Sequence, residues 1–193
     1  MKVTIIDYGA GNIKSLEFAL ERLGVVGQLT ADREEITAAD KVIFPGVGEA
    51  SSAMQKLQAS GLHTIIPRLK QPVLGICVGM QLMCTSSEEG NTKGLGIFDC
   101  PVLKFSESVK VPQMGWNTIH KTKGPLFKDI LESEYMYLVH SYYAPLNAYT
   151  IAQTNYDGLY STALQTHNFY GVQFHPEKSS RAGSQLLNNF LSL

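Results

Sequence analysis

Three short segments of this chain are almost wholly apolar: KVTIIDY (2–8), KVIF (41–44) and PVLGI (72–76). Each runs into a glycine-bearing turn, and each is followed by helical periodicity. After the first, Ile13, Leu16, Leu20 and Leu23 repeat at spacings of three and four, with Gly24 as a stop; after the second, Ala50, Ala53, Met54 and Leu57 do the same. A half-exposed strand would alternate polar and apolar residues. Strands without alternation, separated by helices, require a parallel sheet covered on both faces. A further short strand is expected near 25–30. In such sheets ligands collect beyond the carboxyl ends of the strands, where Asn12, Gly46 and Cys77 all fall.

The second half has a different texture. The segments 94–105, 115–122, 135–144, 149–157 and 161–174 read as strands linked by turns, with Asp157-Gly158 as a hairpin turn and Asn168 in another. They predict an antiparallel layer attached to the parallel sheet. Ala182, Leu186 and Phe190 mark a last helix. No repeat, linker or low-complexity stretch interrupts the 193 residues, so the expectation is one α/β domain over 1–193.

Composition excludes several classes. A net charge of −1 supplies no electrostatic basis for binding nucleic acid or an anionic membrane. No apolar run is long enough to span a bilayer, and no signal peptide is visible, so a cytoplasmic protein is expected. Three cysteines, an odd number, argue against a disulfide framework.

One cysteine stands out. In VLGICVGMQLM (73–83), Cys77 occupies the corner where an apolar strand becomes a helix. A tight turn lifts a side chain above the sheet, and the following helix start directs free amides toward it, which favours the reactive thiolate. The amide of Val78 is then available to an oxyanion. A buried corner cysteine with no role is an equal reading of these residues alone. A nucleophilic thiolate also needs a base. Of five histidines only His175, in GVQFHPEKS (171–179), has a carboxylate at short range, Glu177. In extended backbone the two side chains would point the same way, so Glu177 would accept from one imidazole nitrogen while the other faces Cys77. His63, His120, His140 and His167 read as surface or structural residues. In FPGVGEA (44–50), Gly46, Val47 and Gly48 leave main-chain amides open beside another helix start; without the Lys and Ser/Thr of a phosphate loop this is no nucleotide site.

PGVG, GICVGMQ and GVQFHPE, in that order, resemble the class I, triad-type glutamine amidotransferases. IIDYGAGNIKSL (5–16), VPQMGWN (111–117) and YLVHSYY (137–143) resemble the branch that serves imidazole glycerol phosphate synthases in histidine biosynthesis. Departures are small: Val78 stands where leucine is common, and Glu49-Ala50 follows PGVG where a small residue and an aromatic are common. The resemblance implies a Cys77–His175–Glu177 triad acting on glutamine, with oxyanion donors from Val78 and from Gly46, Val47 or Gly48. It places Gln81, His140, Ser141 and Tyr142 around the substrate. No cofactor and no metal are implied. It also implies a separate cyclase subunit with a (β/α)8 barrel, forming a heterodimer and receiving ammonia through its interior. Candidate interface residues are Asn12, Trp116, Tyr137 and Lys178; for Trp116 core filling is an equal expectation. A subunit of another amidotransferase and a stand-alone cysteine hydrolase share the triad and stay open.

Overall fold

The computed structural model describes residues 1–11 and 13–193; Asn12, one of the candidate interface residues, lies outside the described residues. The first half alternates as its apolar runs require: β1 (Val3–Ile6), α1 (Lys14–Arg22), β2 (Gly27–Thr30), α2 (Arg33–Thr37), β3 (Lys41–Phe44), α3 (Ala50–Ser60), β4 (Val73–Ile76) and α4 (Val78–Met83). Strands β1, β3 and β4 are buried at every position, the signature of a sheet covered on both faces. The five-residue α2, started by Asp32 accepting from the Glu35 amide, was too short to leave a periodic signal.

After α4 the chain gives β5 (Cys84–Ser87), β6 (Thr92–Lys93), β7 (Phe98–Lys104), β8 (Gln113–Thr118), β9 (Tyr135–His140), β10 (Tyr142–Pro145), β11 (Thr150–Asn155), β12 (Leu159–Thr166), β13 (Phe169–Val172) and α5 (Ser180–Leu191). Among the described residues one sheet of eleven strands runs β2-β1-β3-β4-β13-β12-β10-β7-β5-β6, with β11 on β12, and β8-β9 form a separate antiparallel ribbon. Pairing is parallel from β2 through β13 and antiparallel through β12, β10 and β7. The expected antiparallel layer is therefore two things: an in-plane extension of the main sheet and a detached ribbon.

Two segments divide into pairs of strands, one where no turn was expected and one at the turn expected around Asn168. Segment 135–144 divides at Ser141, and its halves β9 and β10 join different sheets. Segment 161–174 folds back on itself at His167 (φ 48°) and Asn168, so that β13 returns beside β4 and pairs with it in parallel. That return brings the end of β13 next to Cys77. No helix among the described residues is long and apolar enough to cross a membrane.

Candidate active site

The corner at Cys77 is strained. Its backbone has φ 52° and ψ −111°, a conformation that L-residues rarely adopt and that is held only where the surroundings enforce it. They do so from two sides. The Cys77 amide donates to the Val172 carbonyl of β13 at 2.8 Å, and its carbonyl accepts from Gln81, opening α4. All six residues of α4 are buried, so packing holds a helix too short to persist alone. Its start is pressed backbone to backbone against the turn after β3. A Cβ on Gly46 would strike the Gly79 amide and Val78, and one on Gly79 would strike the Phe44 carbonyl. Tyr8 secures that turn from behind, its buried hydroxyl donating to the Pro45 carbonyl at 2.8 Å.

A cavity of about 340 Å³ opens above the corner. Its walls carry Cys77, Val78, Val47, Gly48, Gln81, His140, Ser141, Tyr142, His175 and Lys178, so residues far apart in sequence converge here. Gly46 lies beneath the wall, buried. Among the described residues no hydrogen bond takes the amides of Val47, Gly48 or Val78. Gly48 has φ 92° with open space around it.

His175 and Glu177 meet at 2.8 Å, Nδ1 donating to Oε1. The expected mechanism of that meeting was an extended backbone. In fact β13 ends at Val172, and a 3-10 turn over Pro176–Lys178 swings the carboxylate onto the ring. Ser179 ties this turn down, its hydroxyl donating to the His175 carbonyl at 2.7 Å and accepting from the Tyr137 amide at 2.9 Å. The Glu177 Oε2 atom is buried with no partner among the described residues, which leaves His175 as the counter-charge for that carboxylate. Burial alone would lower His175, but the adjacent Cys77 sulfur and Glu177 outweigh it and push the imidazole up to about 10.

His140 lines the same cavity with both ring nitrogens engaged, Nδ1 on the Tyr142 carbonyl at 2.8 Å and Nε2 on the Tyr160 hydroxyl at 3.2 Å. Burial holds it down to about 4, against the help of the Tyr142 carbonyl. Gln81 is buried, and its Nε2 donates to the Tyr142 carbonyl and to Gln173 Oε1, both at 2.9 Å.

Sequence reasoning missed three contributors. Glu89 lines the cavity and its Oε2 accepts from the Ala50 amide at 2.8 Å, capping α3; burial raises it. Gln173 lies against the Cys77 sulfur. The Val139 carbonyl faces the same sulfur at 3.8 Å. Glu89 gave no signal because a 3-10 turn brings it in, and Val139 acts through its main chain. Gln173 stood inside GVQFHPE, where its position two residues before His175 was a usable clue.

Trp116 is 52% exposed, which removes core filling as its role. It stands opposite Tyr137 in the β8–β9 ribbon, the rings edge to face with centroids 5.9 Å apart. Met114 and Tyr135 are exposed on the same ribbon, and Lys178 is exposed at the cavity rim. Cys84 begins β5, buried, with its sulfur 3.6 Å from that of Cys100. Among the described residues no group of three or more His, Cys, Asp or Glu is placed to hold a metal ion.

The glutamine amidotransferase class-I family model matches residues 4–193. The chain is 55% identical to the imidazole glycerol phosphate synthase subunit HisH of Bacteroides fragilis strain YCH46, over the whole of both chains. It is 53% identical to that of Bacteroides thetaiotaomicron, again over both whole chains, and 44% identical to that of Vibrio parahaemolyticus, over all of this chain and 98% of the other. Among solved structures, a glutamine amidotransferase superposes with a TM-score of 0.78 at 16% identity over all of this chain and 98% of that one. A glutamine amidotransferase from Thermotoga maritima superposes with a TM-score of 0.66 at 16% identity, over all of this chain and 83% of that one. The structural likeness is one of fold, and the identity to whole relatives, joined to the match over 4–193, shows that this chain belongs to the class-I glutamine amidotransferase family.

Proposed function

We propose that this chain is the glutaminase subunit of an imidazole glycerol phosphate synthase, hydrolysing glutamine to glutamate and ammonia for histidine biosynthesis. The observation that carries the reading is full-length identity of up to 55% to such subunits. The cavity supports it chemically. Cys77 Sγ attacks the side-chain amide carbon of glutamine, and the carbonyl oxygen takes the negative charge. The Val78 amide and one from the Gly46–Gly48 turn donate to that oxygen. His175 gives its proton to the departing nitrogen, the C–N bond breaks, and ammonia leaves a thioester on Cys77. His175 then takes a proton from water, hydroxide adds to the thioester carbon, and the thiolate departs with glutamate released. Glu177 holds Nδ1–H throughout, so Nε2 is the nitrogen that exchanges protons.

Recognition follows from charge and reach. Glutamine brings an α-ammonium and an α-carboxylate. Glu89 is the carboxylate of the cavity wall and receives the ammonium; Ser141 donates to the α-carboxylate. Gln81 offers its Oε1, both hydrogens of its Nε2 being committed. Tyr142 completes the wall, and His140 shapes it with its ring nitrogens turned inward.

Free ammonia at neutral pH is mostly protonated and no longer nucleophilic, so the product needs a receiver before it meets bulk water. The receiver is a cyclase subunit, a (β/α)8 barrel that docks to form a heterodimer in the cytoplasm. The exposed Trp116, Met114 and Tyr135, with Tyr137 opposite Trp116 and Lys178 at the cavity rim, suit a docking surface rich in aromatic anchors. Asn12 belongs to the same proposal from its sequence position. The experiment is to measure glutamine hydrolysis by the chain alone, with the cyclase, and with cyclase plus its ribonucleotide. Strong stimulation by both is expected. Full activity alone, unresponsive to either, would favour a stand-alone hydrolase.

A further inference from the structure

Besides the charged imidazole of His175, which shares a hydrogen bond with it, the Cys77 sulfur has two neutral neighbours that ask opposite things of it. The Val139 carbonyl, 3.8 Å away, accepts a hydrogen and therefore favours the neutral thiol. Gln173 Nε2, 3.6 Å away, donates one and therefore favours the thiolate. Gln173 is fully buried, where an amide without partners is costly, and its main chain is fixed by donating to the Thr162 carbonyl at 2.8 Å.

An amide beside a sulfur could present either its oxygen or its nitrogen, and the wrong end would repel a thiolate. Here the end is dictated by a chain of partners. The Tyr142 carbonyl can only accept, so Gln81 must turn its NH₂ toward it. The same NH₂ reaches Gln173 at 2.9 Å, so Gln173 must present Oε1 there. Its own NH₂ is then left for Cys77. Two neutral amides thus carry the polarity of a main-chain carbonyl, across the substrate wall, to the nucleophile.

We infer that Gln173 is a thiolate-stabilising donor to Cys77, aligned by Gln81, so that the residue facing the substrate also sets the state of the attacking sulfur. The role in turnover rests on the glutaminase reading; the role on the sulfur does not, and the test separates them. The rate of iodoacetamide alkylation of Cys77 is followed against pH by mass spectrometry of the labelled peptide, on the full chain, for wild type, Gln173→Met and Gln173→Glu. Thermal melts check that each variant is folded. A hydrogen bond to a charged group corresponds to roughly a ten-fold effect or more. Alkylation at neutral pH should therefore fall about ten-fold in Gln173→Met and its pH curve move to the alkaline side by about one unit. Gln173→Glu keeps the acceptor for Gln81 but sets a carboxylate against the sulfur, and should shift the curve further. Gln81→Met should move it in the same direction and add little on top of Gln173→Met, because both cut one relay. With the cyclase bound, Gln173→Met should lower kcat about ten-fold and leave KM near its original value. A folded Gln173→Met or Gln81→Met chain with the wild-type alkylation curve overturns the relay. A shifted curve in a protein that never hydrolyses glutamine keeps the relay and removes the substrate assignment.

Discussion

Two histidines line one cavity from different elements, His140 at 6% exposure and His175 at 5%. Desolvation acts on both, yet one is held down to about 4 and the other pushed up to about 10. The difference lies in what each wall offers. The β9–β10 wall gives His140 a carbonyl and a phenol, neutral groups that satisfy the ring without rewarding a charge. The turn after β13 gives His175 a carboxylate and a sulfur, which do reward it. Burial is therefore no guide to which histidine holds a proton; the charge of the partners decides.

The comparison breaks most completely when the sulfur is removed. Cys77→Ala should abolish glutamine hydrolysis while leaving the fold and partner docking intact, since the side chain is small. A glutamine-like electrophile should label Cys77 and spare the buried Cys84 and Cys100. Surviving activity, with label on Cys84, would sink the mechanism. His175→Asn should cost roughly 10²–10⁴-fold in turnover, and Glu177→Gln less, because an acceptor for Nδ1–H survives. His140→Asn should cost far less than His175→Asn. If the ranking inverts, the two walls have been assigned the wrong way round.

A second contrast separates the packed part of the proposed oxyanion turn from the part with open space around it. Gly46 is locked against α4 by contacts no side chain could share, whereas Gly48 meets open space at φ 92°. A valine at 48 is opposed by backbone conformation and not by crowding. One oxyanion donor is worth on the order of 10²–10³ in rate, so a turn with two orientations is a sufficient switch. Gly48→Val should bring the ratio of ligand-stimulated to basal hydrolysis toward one. An unchanged ratio would show that the turn carries no coupling.

How much of this was legible follows from the range of the forces involved. The parallel half could be read because full burial writes unbroken apolar runs into β1, β3 and β4. Cys77, His175 and Glu177 could be read because a corner and a short spacing are local facts. What stayed hidden is non-local. The break at Ser141 depends on two sheets competing for one apolar segment. The return of β13 beside β4 depends on a pairing between residues about a hundred positions apart. The turn that seats Glu177 on His175 was read as a strand, giving the right pair by the wrong geometry. Glu89 reaches the cavity from a 3-10 turn that packs across the start of α3, where it caps Ala50.

The smallest predicted effect tests the walls through stability instead of turnover. His140 is lowered in the folded chain, so below its unfolded value of 6.5 the unfolded state takes up the proton first. Its contribution is complete above pH 6.5 and is lost as pH falls toward about 4. His175 is raised, so its contribution is complete below 6.5 and is lost as pH climbs toward about 10. The two histidines therefore erode stability at opposite ends of the pH scale. Melting curves at steps from pH 4 to 10 should show His140→Asn flattening the acid limb and leaving the alkaline limb alone. Cys77→Ala, which removes part of what holds the His175 proton, should flatten the alkaline limb only. Each change should be on the order of a few degrees in Tm for a chain of this size. If His140→Asn flattens the alkaline limb, or Cys77→Ala the acid one, then the partner charges do not set these two rings apart, and the contrast between the walls fails.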